Sequence, residues 1–139
     1  MAERMPADPV IGSWKLSLLK SSFKLTPAPE SYLMKVEAWY NGFRVNADIV
    51  DANGNELHLE AAYKLDGKDY PLEGSTLADT VSAKRINERT GESLWKKDGQ
   101  VILTLRNVIS TDGKTLNQAR TAKDVNGWIS DDLLVFDKQ

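Results

Sequence analysis

Three groups of side chains in this chain could do chemistry, and each also has a plainer structural use. His58, the single histidine, could act as a general base or a metal ligand. Glu60 stands two residues on, so in a strand the two share a face. Leu57 and Leu59 take the opposite face, which makes a solvent-facing His58 the ordinary outcome. If that strand were inverted, His58 and Glu60 would form an interior acid–base pair. Asp131 and Asp132 are adjacent, so a strand sends one carboxylate to each face. The inward one would be a base or the partner of an interior arginine.

The third group is Arg120 with Gln118. A two-residue hairpin at Asp98-Gly99 puts Leu94, Val101, Leu103 and Leu105 on one face. Continuing through Asp112-Gly113 adds Leu116, Gln118 and Arg120 to that face, and sends Arg106 to the other with Ser93 and Thr104. A buried guanidinium needs an anion or several acceptors. A ligand carboxylate or phosphate supplies both. One bulge would flip the assignment.

Other chemistries lack their residues. The chain has no cysteine, so thiolate metal sites, cysteine nucleophiles and disulfides are excluded. One histidine cannot build a multi-histidine site, and no metal site is expected. Asp48 and Asp51 match no calcium loop, and no phosphate loop or serine elbow occurs. No cofactor is expected.

The 139 residues carry a formal net charge of -2, which gives no electrostatic case for nucleic acid or an anionic membrane. No window approaches the roughly 20 apolar residues of a membrane-spanning helix. The N-terminus, with Glu3, Pro6, Asp8 and Pro9, has no apolar run of signal-peptide length. A chain trimmed of a leader would be periplasmic or secreted, and otherwise cytoplasmic. Residues 1–11 are expected to form a flexible segment before one domain over residues 12–139.

The elements that position these groups read as strands. Asn41-Gly42, Asn53-Gly54, Asp66-Gly67, Asp98-Gly99, Asp112-Gly113 and Asn126-Gly127 are hairpin signals. Between them lie runs rich in Val, Ile, Leu, Thr, Tyr and Trp. Phe43, Val45, Ala47 and Ile49 alternate with Arg44, Asn46 and Asp48, the period of a sheet with one wet face. Tyr32, Met34 and Val36 do the same one strand earlier, and Leu57, Leu59, Ala61 and Tyr63 one strand later. The expected strands are 12–19, 31–40, 43–50, 56–64, 68–72, 79–87, 92–97, 100–109, 115–122 and 128–138. No segment shows a capped helical period.

So long a meander leaves two raw edges unless it closes. The expected fold is all-β: an antiparallel up-and-down meander closed into a single barrel of about 8–10 strands, without a helical lid. Residues 65–86 read as a corner, in which Pro71 keeps its short strand at an edge or ends it early.

Gly12-x-Trp14 in "GSWKLSLLKSSF" resembles the first-strand signature of the calycins, the group of lipocalins and fatty-acid-binding proteins. "DGKDYPLEG", "ADTVSAKRI", "WKKDGQ" and "STDGKTL" are similar to bacterial lipocalin-like domains. The resemblance runs from about residue 12 to the C-terminus. It implies a barrel that holds a small hydrophobic ligand, with Trp14 plugging one end. Leu134 and Phe136 stand where fatty-acid-binding proteins carry an Arg-x-Tyr clamp, so fatty-acid binding is not carried over. "KSSFKLTPAPE" is too short for the paired helices of those proteins. Nitrobindin-like barrels hold haem through a histidine near the C-terminus. His58 lies in the fourth expected strand, so haem is not carried over either.

The reading that follows is binding of a small hydrophobic or amphipathic molecule inside the barrel. Tyr32, Met34, Val45, Leu59, Tyr63, Leu103 and Leu105 are the expected walls, and Gln118 and Arg120 the polar anchor. Trp39-Tyr40 and Trp128 are placed at a barrel mouth. The alternative is a cofactor-independent cyclase, isomerase or lyase whose catalytic group is His58, Asp131 or Asp132.

Overall fold

The computed structural model describes residues 8–123, 126, 127 and 129–139. Eleven strands run in chain order: β1 Gly12–Leu16, β2 Ser22–Phe23, β3 Ser31–Trp39, β4 Gly42–Val50, β5 Glu56–Lys64, β6 Tyr70–Glu73, β7 Thr80–Asn87, β8 Thr90–Lys97, β9 Gln100–Ile109, β10 Thr115–Lys123 and β11 Ile129–Lys138. All pairings are antiparallel between chain neighbours, except that β1 pairs both β3 and β11. That last pairing closes ten strands into a barrel. β2 lies outside it, on β11. No helix occurs among the described residues.

The alternation in β3, β4 and β5 sets the register. Met34 pairs Ala47, which pairs Leu59, and Val36 pairs Val45, which pairs Ala61. Each set points inward, because shifting any strand by one residue would expose its apolar face. Trp14 and Phe136 are fully buried, with Leu116 and Leu134 almost so. Together they fill much of the interior. Trp14 Nε1 donates to the carbonyl of Val10 at 2.8 Å.

Several local expectations change. β1 stops at Leu16, and residues 18–20 form a turn. The two-residue strand β2 falls within a stretch that reads as plain connection. The first hairpin turns on Tyr40-Asn41, with Tyr40 at φ 48°. Gly42 opens β4 instead, and a Cβ there would collide with the carbonyl of Tyr63. Asp98 and Gly99 both have positive φ, 51° and 81°, as a type I′ turn requires. A register shift follows beside Trp95 and Lys96. It turns β8 over relative to a plain hairpin, so Ser93 and Trp95 face inward opposite Leu105 and Leu103. Leu94 faces out and Val101 is exposed, against the expected arrangement.

β6 is the thinnest part of the wall. It shares two register pairs with β5 and two with β7. Gly74, just after it, has φ 86°, and its α-carbon lies against the backbone of His58. The carboxyls of Asp51, Asp66 and Asp112 are held below the ordinary carboxylate range, in each case chiefly by hydrogen bonds from neighbouring turn residues. These acids stabilise turns.

Candidate functional site

The barrel encloses a cavity of about 130 Å³. Its walls come from eight strands, β3 to β10. Tyr32, Met34, Val45 and Leu59 line one side, and Tyr63, Leu105 and Gln118 also border it. The sequence marks all seven as interior. Leu103 and Arg120 are buried but do not line the cavity. The space exists because Ala47, Ala61 and Ala83 stand where larger side chains would meet. The alternation of the sequence places Ala47 and Ala61 inward without marking them as cavity walls, leaves Ala83 unremarked and puts Ser93 on the opposite face. Small volume at a shared level is not a local signal.

Arg120 sits behind the lining. Its Nε donates to Gln118 Oε1 at 2.7 Å, and its Nη2 donates to the Tyr32 hydroxyl at 3.3 Å. Gln118 Nε2 in turn donates to Asn107 Oδ1 at 2.9 Å. The guanidinium lies 5.2 Å from the Trp95 ring centre and 5.8 Å from that of Tyr32. Cation–π contacts of this kind are strongest where water is excluded. Among the described residues no carboxylate lies within ion-pair distance of Arg120. Its charge is met by the neutral acceptors Gln118 and Tyr32 and by the faces of Tyr32 and Trp95, all three of which border the cavity.

Asp132 is Arg120's cross-strand partner and is 2% exposed. Its carboxylate is committed elsewhere. Oδ1 accepts the N–H groups of Lys24 and Leu25, both at 2.6 Å. Oδ2 accepts the N–H of Thr26 at 3.2 Å and its hydroxyl at 2.5 Å. The residues after β2 are thereby tied to the barrel. Asp131 is exposed. His58 lies on the outer surface, its Nδ1 2.8 Å from Asp48 Oδ1 and its Nε2 3.3 Å from Asn46 Oδ1. None of His58, Asp131 and Asp132 lines the cavity, so the three groups on which a catalytic reading rested are not brought together.

At the β7–β8 end the cavity is bordered by Asp8, Val10, Arg85 and Arg89. Asp8 forms an ion pair with Arg85 across this mouth and accepts the N–H of Val10 at 3.0 Å. Arg85 also donates to the carbonyls of Asn87 and Glu88, both at 3.3 Å. Tyr40 is exposed on the turn at the same end of the barrel, stacked edge-on with Trp39. Trp128 lies outside the described residues.

Tyr63 is the group whose acidity the cavity changes most. The residue is half-buried and borders the cavity. Burial pushes its pKa up to about 12. No hydrogen-bond partner for that hydroxyl occurs among the described residues. The ordinary tyrosine value is about 10, so between about pH 10 and 12 the unfolded chain releases a proton that the folded chain keeps. Stability is therefore unaffected by Tyr63 below pH 10 and falls above it, by at most about 1.4 kcal/mol per pH unit. Tyr63→Phe is expected to flatten this part of the profile in denaturant titrations; an unchanged slope would mean that the hydroxyl is hydrated.

A comparison with models of protein families finds no match, and neither does a comparison with curated proteins. The fold itself is a closed antiparallel ten-strand barrel with one further strand outside it.

Proposed function

We propose that this barrel binds a small, largely apolar molecule in its interior, and that the chain belongs with the calycin-like barrels. The cavity is the observation that carries the reading: well-packed interiors leave few voids larger than a water molecule. An apolar cavity of about 150 Å³ is enough to take up benzene, so the 130 Å³ here points to a ligand of about one ring. Tyr32, Met34, Val45, Leu59, Tyr63 and Leu105 contact its apolar body. Leu103 is buried two residues from Leu105 on the same face of β9 and continues that wall. Gln118 borders the same space, and Arg120 holds its amide and the Tyr32 hydroxyl in place.

Filling the space tests this. Ala61 borders the cavity and is 7% exposed. Ala61→Leu is expected to abolish uptake of single-ring compounds in calorimetric titrations, while changing stability by about 1–3 kcal/mol at most. Equal uptake by the folded variant would place binding elsewhere.

A further inference from the structure

Two hydroxyls that border the cavity are unspent, and their chemistry selects among ligands. Tyr63 and Ser93 both border the cavity, and neither hydroxyl has a hydrogen-bond partner among the described residues. The Tyr32 hydroxyl accepts from Arg120, which leaves its own proton to give. Burial keeps Tyr63 protonated, with its pKa near 12, so it stays a donor over the whole physiological range. A phenol is a good donor and a poor acceptor. The buried Arg120 guanidinium behind Tyr32 adds positive potential to the interior. Of the acids that border the cavity, Glu60 and Glu88 are exposed, while Asp8 and Glu92 pair with Arg85 and Arg106. A ligand cation would meet no free interior carboxylate.

We infer that the polar end of the ligand is an acceptor oxygen, a carbonyl or a carboxylate, bonded by the Tyr63 and Ser93 hydroxyls. The ligand class is a compound of about one ring, or the equivalent branched chain, bearing such an oxygen. This rests on the binding function proposed above. A bound ligand shuts these donors off from water, so an analogue lacking the matching acceptor leaves them unpaired and is strongly disfavoured.

Four single-ring probes test it: acetophenone, benzoate, toluene and benzylammonium, titrated calorimetrically into the full chain at neutral pH. Acetophenone or benzoate is expected to bind about tenfold or more tighter than toluene and benzylammonium, the worth of one well-placed hydrogen bond. Which of the two binds better separates a carbonyl site from a carboxylate site. Tyr63→Phe is expected to shrink the preference to about threefold or less while toluene still binds. Ser93→Ala gives a second, smaller loss and serves if Tyr63→Phe unfolds. Equal binding of toluene or benzylammonium overturns the inference, as does a preference untouched by both substitutions. If none of the four probes binds, the proposed function falls and takes the inference with it, an outcome distinct from binding without preference.

Discussion

Asp132→Ala is expected to lower the free energy of unfolding by about 3–5 kcal/mol, the range for removing one member of a buried charged network. The carboxylate is almost fully buried and accepts from three consecutive backbone N–H groups and from the Thr26 hydroxyl. Alanine supplies no acceptor, so the turn after β2 must either carry unpaired donors or leave the barrel and take β2 with it. Asp131→Ala, one residue away and exposed, is the control and is expected to stay within about 0.5 kcal/mol. Asp132→Asn keeps an acceptor oxygen and falls between the two. Urea denaturation measures all three. Equal midpoints for Asp132→Ala and Asp131→Ala would mean that the residues after β2 contribute nothing to the stability of the barrel.

Gly74→Ala is the second large effect, expected at about 3 kcal/mol or more. Two penalties combine. With φ at 86°, any other residue pays about 1–3 kcal/mol of backbone strain. A methyl group there would also strike the carbonyl of His58, which is main chain and cannot swing aside. Gly113 separates the penalties, because its φ is 75° and a Cβ added there meets open space. Gly113→Ala is therefore expected to cost strain alone. Thermal unfolding of the two variants gives the collision by difference, and equal losses would show that the β5–β6 seam yields freely. That seam has only two register pairs, so the loss is expected to appear first as faster amide exchange in β5 and β6.

The fold was legible wherever one strand face is apolar and the other polar. Tyr32, Met34 and Val36, and then Val45, Ala47, Leu59 and Ala61, state their inward face residue by residue, and the register joins them across β3, β4 and β5. Gln118 and Arg120 were also legible, since the Asp112-Gly113 turn preserves the strand parity of β9 into β10. The β8 face was not. A bulge beside Trp95 reverses it, and nothing local distinguishes Ser93-Leu94-Trp95 from a strand with the opposite facing. Parity gave half of the Asp132 result. One of the two adjacent acids had to point inward, but its partners are Lys24, Leu25 and Thr26, over a hundred positions away. A proline-rich stretch with no strand pattern gave no sign that its N–H groups converge.

The cavity lies beyond local reading for a different reason. Its size is the sum of side-chain volumes contributed by most of the strands. Ala47, Ala61 and Ala83 are unremarkable where they stand, and become informative only when closure brings them to one interior. Arg120 shows the same limit from the other side. Its burial could be anticipated, while its place behind Tyr32, Trp95 and Gln118 depends on strands far apart in the chain.

Methyl NMR during titration with acetophenone and benzoate tests the central claim most directly. Binding inside the barrel predicts saturable shifts at the methyls of Met34, Val45, Leu59 and Leu105, which border the cavity, and none at the outward Leu33, Val101 and Ile129. The Ala61→Leu variant should lose those shifts. Shifts confined to the outward methyls, or interior shifts that persist when Ala61→Leu fills the space, would contradict a ligand-binding barrel.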